Sequence, residues 1–169
     1  MSEDGAIQKY DWDHNLVWEC IPEGVIPHKR LMGPHHDVFK NPNGNTLLIC
    51  REAVPEEYMR EVREPRFQNR TIYGDTILEV NVDGEVVWEW HGHGHLDLNH
   101  YRILASPGWH RGPHNSTICD WTHVNTVQAL PENKWYDAGH ERFRPGNVMI
   151  SPRNLDFDSV PSCDGRFHE

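Results

Sequence analysis

Two stretches of this chain repeat each other, and the repeat limits the fold more than any other feature. Ile7 to Glu19 reads IQKYDWDHNLVWE and Ile77 to Glu89 reads ILEVNVDGEVVWE. Each is a short alternating run, a turn at Asp13-His14-Asn15 or Asp83-Gly84-Glu85, and a second run ending Val-Trp-Glu. This is the pattern of a β-hairpin. A second repeat interleaves with the first: His36 to Ile49 runs strand, Pro-Asn-Gly-Asn turn, strand, and Asn125 to Asn133 followed by Gly146 to Ile150 does the same, with an insertion around Lys134 to Pro145.

Taken together, the repeating unit is four strands, two around a Pro-Asn-Gly-like turn and two around an Asp-Gly-like turn. A four-stranded antiparallel unit recurring at this spacing is the sequence form of a β-propeller blade. The expected class is all-β, a partial β-propeller with short helices at most, the best candidate being Pro55 to Arg66. The repeat divides the chain into the last hairpin of one blade (5–20), a complete blade (35–90), a His/Gly-rich inter-blade loop (91–120), the first part of a further blade (121–157) and a non-matching tail (158–169). Propellers close with roughly 4 to 8 blades, so about two blades imply either a piece of a larger ring or self-association through open blade faces.

Charge narrows the partners. With 16 Lys+Arg against 26 Asp+Glu the net charge is -10, which argues against a nucleic-acid or anionic-membrane surface, and any anion site must be local. No run approaches the roughly 20 apolar residues of a membrane helix. The N-terminus Met-Ser-Glu-Asp-Gly lacks the basic and apolar regions of a signal peptide. Read as it stands, the chain is expected to be cytoplasmic; an incomplete N-terminus would leave that open. Cys20, Cys50, Cys119 and Cys163 show no CxxC pairing and read as buried free thiols, with a disulfide open only in an oxidising compartment.

Two segments carry the chemistry. Asp120-Trp-Thr-His-Val-Asn125 sets an imidazole and a carboxamide two residues apart, the spacing that sends both to one face of a strand. Gly146 to Asn154 passes through an apolar run and delivers Arg153 just beyond it. Paired as neighbouring strands, the segments would bring His123, Asn125 and Arg153 together without an acidic partner, a set suited to a small oxyanion. The competing readings are strand-end hydrogen bonding for His123 and Asn125, a surface cation for Arg153, and a structural His-Asp contact for His35 or His36 beside Asp37. Trp18, Trp88 and Trp121 read most simply as blade packing.

His35-His36-Asp37-Val38, the Pro42-Asn43-Gly44-Asn45-Thr46-Leu47 turn, Val87-Trp88-Glu89-Trp90 and above all Asp120-Trp-Thr-His-Val-Asn125 with Ser151-Pro-Arg-Asn154 resemble the arylsulfotransferase family, over most of residues 5–157. The resemblance implies a six-bladed propeller and ping-pong transfer of a sulfuryl group from a phenolic sulfate ester to a phenol through a sulfated histidine, with no PAPS. It implies catalytic roles for His36 (or its neighbour His35, a choice the spacing does not settle), His123, Asn125 and Arg153; His35, Trp121 and Asn154 are the candidate substrate-binding residues. The family's nucleophilic histidine lies in a later blade than the Ser-x-Arg-Asn strand and matches no position here, so a truncated protein, inactive in isolation, is expected.

The remaining cluster is His91-Gly-His93-Gly-His95-Leu-Asp97-Leu-Asn-His100, followed by His110 and His114. Imidazoles alternating after a strand can ligate zinc, copper or nickel. It resembles the His-x-His-x-Asp-His run of metallo-hydrolases, but Asp97 falls two places beyond the third histidine. The expectation is that no cofactor is bound; the alternative is a non-catalytic propeller segment holding a metal through His91, His93 and His95.

Overall fold

The computed structural model describes residues 6–21, 31–63, 70–99, 119–155, 160–161 and 167–168. His100, His110, His114, Cys163 and most of the tail named above lie outside them, as does much of the stretch between residues 99 and 119.

The described chain is all-β with two single-turn α-helices. In order, the strands are β1 (Ile7–Tyr10), β2 (Leu16–Cys20), β3 (Leu31–Lys40), β4 (Thr46–Ala53), β5 (Ile72–Val80), β6 (Val86–His91), β7 (Cys119–Asp120), β8 (Val124–Ala129), β9 (Val148–Pro152), β10 (Val160–Pro161) and β11 (Phe167–His168). β3, β4, β5 and β6 form a four-stranded antiparallel meander, to which the short β7 adds in parallel beside the start of β5; β1–β2, β8–β9 and β10–β11 are two-stranded. One such blade with a hairpin on either side is the architecture of a partial β-propeller.

The turns show why the repeats fold alike. Between β1 and β2, Asp11 N donates to Asn15 O and His14 N to Asp11 O; Asn41 with Asn45 and Gly44, and Asn81 with Glu85 and Gly84, repeat the same two bonds. In each loop the fourth residue takes a left-handed conformation, at φ 64° for His14, 95° for Gly44 and 85° for Gly84. This is a type I turn closed by a left-handed residue. Asp11 and Asn81 add a side-chain oxygen that accepts two backbone N–H groups. The inserted hairpin closes the same way: Leu130 N donates to Asn147 O and Gly146 N to Leu130 O. Its insertion holds α2 (Lys134–Asp137), N-capped by Asn133; the sequence reading placed no helix there. The candidate helix after Pro55 is the single turn α1 (Glu56–Met59).

Strand alternation gives the blade two apolar faces. Leu47, Ile49, Ile77 and Trp90 pack with Val124, Val127, Val148 and Ile150 of the following hairpin. Leu48, Cys50, Leu78 and Val80 pack with Cys20, Ile7 and Trp18 of the preceding one. Each fully buried Leu or Ile contributes about 1.5–3 kcal/mol relative to exposure. Cys20, Cys50 and Cys119 are buried free thiols, and burial pushes the Cys50 thiol up to about 12. Among the described residues no helix is long and apolar enough to cross a membrane.

Candidate functional site

The site forms where β3 of the blade meets the β7–β8 segment. β3 is irregular there: Pro34 pairs with Cys50 and Val38 with Leu48, with a break in register between them. Four steps along β3 therefore match two along β4, and the surplus backbone bulges out around His35 and His36. His36 takes φ 59°, a left-handed conformation that costs a non-glycine residue of order 1–3 kcal/mol and clusters at functional sites. His123 does the same at φ 52°, in the turn just before β8.

Both histidines point their outer nitrogens at one place. His36 Nε2 lies 3.1 Å from His123 Nε2, and Arg153 Nη1 lies 3.4 Å from the same atom. On its other side, His123 Nδ1 is bonded to the buried Asp120 carboxylate. A guanidinium can only donate, so His123 Nε2 is the acceptor in this cluster and its Nδ1 carries the proton to Asp120. His36 then donates through its own Nε2. Burial, with His35 and His123 close by, pushes the His36 pKa below its ordinary value; Asp75 partly offsets this and Arg51 adds to it.

Carboxylates hold the arrangement in place. Asp75 on β5, buried, accepts from Thr122 Oγ1 at 2.5 Å, from Val124 N at 2.7 Å and from His35 Nε2 at 2.8 Å. It thereby ties the turn carrying His123 and the bulge carrying His36 to the central strand. Arg51 Nη2 stands 3.6 Å from Asp120. Arg153 is fixed through its backbone: Arg153 N donates to His123 O and Asn154 N to Thr122 O, at 2.9 and 3.1 Å. These bonds extend the β8–β9 pairing past its last strand residue.

His36, His123 and Arg153 thus converge. Two features of the sequence reading need correction. His123 and Asn125 do not share a face, because His123 precedes the strand in a left-handed turn and Asn125 sits in a register break between Val124 and Thr126. His123 is buried and Asn125 exposed. Nor is the cluster free of acids, since Asp120 and Asp75 anchor it. Asp120 was visible three residues before His123, whereas Asp75 and Arg51 carry no local signal. Of the other candidates, His35 is bonded to Asp75 rather than Asp37, Asn154 Nδ2 donates to Asp120 O at 2.9 Å, and Trp121 is wholly buried.

The His91 segment is arranged differently from its sequence reading. His91 and His93 turn toward Glu52 of β4, at 2.7 and 3.3 Å from its Oε2, while His95 stacks on Trp90 at 5.3 Å. Burial opposes ionisation of Glu52, but bonds from His91, His93 and Thr76 hold it well below the usual carboxylate range. The bond to Glu52 raises the His91 pKa.

A family model described as arylsulfotransferase (ASST) matches residues 20–136. The chain belongs to the arylsulfotransferase family. Among curated proteins no match was found. The arylsulfotransferase match contains His36, the whole Asp120–Asn125 segment, Asp75 and Arg51; Arg153 follows it in the chain and joins the cluster through β9.

Proposed function

We propose that the cluster of His36, His123 and Arg153 binds and polarises a sulfuryl group during its transfer from a phenolic sulfate ester to a phenol. One observation carries the reading: His36 Nε2 and Arg153 Nη1 both close on His123 Nε2, so two cationic or donor groups and one imidazole surround a single point. A sulfuryl group in flight between a phenolic oxygen and the covalent carrier spreads its negative charge over three oxygens, and preorganised donors at such a point stabilise it most when that charge is greatest. Arg153 can bridge two oxygens with its planar fork.

His123 has the tautomer for proton transfer. With Nδ1–H held by Asp120, its Nε2 can take the proton of an incoming phenol as the new S–O bond forms. It can return a proton to a departing phenolate as the ester S–O bond breaks. Asp120 stabilises the imidazolium in between, as the carboxylate of a catalytic triad does. Neither His36 nor His123 is assigned as the covalent carrier, which the family resemblance places in a later blade. No nucleotide sulfate donor is required, because the ester itself brings the sulfuryl group.

Turnover of p-nitrophenyl sulfate with phenol as acceptor tests this, on the chain and on a version extended to a closed ring. Transfer by the extended protein that falls by orders of magnitude with His123→Ala and Arg153→Ala supports the reading. Transfer indifferent to both substitutions removes it.

A further inference from the structure

On the face of β4 opposite Arg51, Glu52 forms a second cluster with His91 at the end of β6 and His93 just beyond it. The ligand atoms of the three side chains lie within 4.8 Å of one another. We propose that they bind a divalent transition ion, zinc or a first-row neighbour, through the carboxylate of Glu52 and the Nδ1 atoms of His91 and His93.

The local fold builds the site. His91 ends β6, and the 3-10 turn Gly92–Gly94 folds His93 back toward the same carboxylate. Gly92 is needed at the bend, since a Cβ there would sit 3.0 Å from Asp75 O. The alternating glycines therefore shape a tight turn that brings two imidazoles to one oxygen.

The distances suit the ion. Tetrahedral zinc, with bonds of about 2.0–2.2 Å to nitrogen and oxygen, sets its ligand atoms roughly 3.3 Å apart. His93 Nδ1 is already 3.3 Å from Glu52 Oε2, and His91 Nδ1, at 2.7 Å, has to move outward by a fraction of an ångström. Two imidazoles with one carboxylate favour zinc, copper or nickel over calcium or magnesium. Three protein ligands leave one position for water.

The surrounding groups are those that orient metal ligands. Thr76 Oγ1 donates to Glu52 Oε2 at 2.7 Å. His91 turns its other nitrogen toward Glu89, 3.6 Å away, the carboxylate–histidine–metal arrangement. The Tyr58 ring packs edge-on against His93 with centroids 4.7 Å apart. His95, stacked on Trp90, is outside the set.

The test is titration of the chelator-treated full chain with zinc alone by calorimetry, and with cobalt by visible absorption. The expected result is one equivalent of zinc and a four-coordinate cobalt spectrum. Affinity should fall at least about tenfold in Glu52→Gln and in the double variant His91→Ala/His93→Ala, since removing even a group that only orients a metal ligand costs about that much, and stay unchanged in His95→Ala. Circular dichroism reports folding, and Glu52→Gln, which keeps the side-chain shape, decides the matter if the double variant does not fold. Equal affinity in Glu52→Gln and wild type, or the absence of a one-equivalent phase in wild type, overturns the proposal. Binding of p-nitrophenyl sulfate should be the same with and without zinc, which separates this outcome from that of the sulfuryl site.

Discussion

His36 and His123, 87 residues apart in the chain, hold their Nε2 atoms 3.1 Å from each other, and both reach that position through a left-handed backbone. Neither strain nor contact follows from blade packing alone. The carboxylates of Asp75 and Asp120 hold it together.

Asp120→Asn should lower aryl-sulfate turnover by the ring-extended protein by roughly 10–100-fold, within the range that general acid–base catalysis contributes. An amide beside His123 Nδ1 permits the other tautomer, with a proton on Nε2 where the base should be. The imidazole nitrogen shifts of His123 report the tautomer, and steady-state kinetics report the rate. An unchanged tautomer with an unchanged rate would show that Asp120 plays no positioning role.

The pH response follows from His36. Its pKa is depressed below 6.5 by burial and by neighbouring His35 and His123. The unfolded chain therefore takes up this proton at higher pH than the folded one. Its contribution to stability falls as pH drops through 6.5 and levels off below the folded pKa. Urea unfolding between pH 8 and pH 5 should show a shallower decline for His36→Gln than for wild type. A direct titration of the His36 ring with a midpoint at or above its ordinary value would contradict the site geometry.

Gly74→Ala probes the support beneath the site. Its Cβ would lie 3.1 Å from Cε3 of Trp121, a wholly buried ring next to Thr122 and His123. Overpacking of this kind costs about 1–3 kcal/mol, read as a lower urea midpoint with unchanged slope. A neutral result would mean that Trp121 has room to shift.

His14 occupies the left-handed position filled by glycine in the two sibling turns. His14→Gly should stabilise the chain by roughly 0.5–1 kcal/mol, relief of left-handed strain outweighing the extra freedom of glycine in the unfolded state. Thermal unfolding checks it, and a lower midpoint would show that the His14 side chain contributes more than its backbone costs.

The hairpins were legible because their turns are chemically marked: Pro-Asn-Gly-Asn and Asp-Gly announce left-handed positions, and the strands between them alternate. His36, His123 and Arg153 were legible as a motif. Their supports were not, because Asp75 and Arg51 come from β5 and β4 and meet the motif only in three dimensions. Strand periodicity misplaced Asn125, since the rule holds inside a strand and His123 stands before one. Glu52 escaped notice for the same reason as Asp75: its partner His91 is 39 residues away.

The account rests on one anion-binding point shared by His36, His123 and Arg153, and titration of p-nitrophenyl sulfate into the protein, followed by the imidazole nitrogen resonances, tests it most directly. Saturable shifts at His36 and His123 that vanish in Arg153→Ala, with p-nitrophenol producing none, are the predicted result. Binding that leaves both imidazoles unmoved, or that survives Arg153→Ala undiminished, would contradict it.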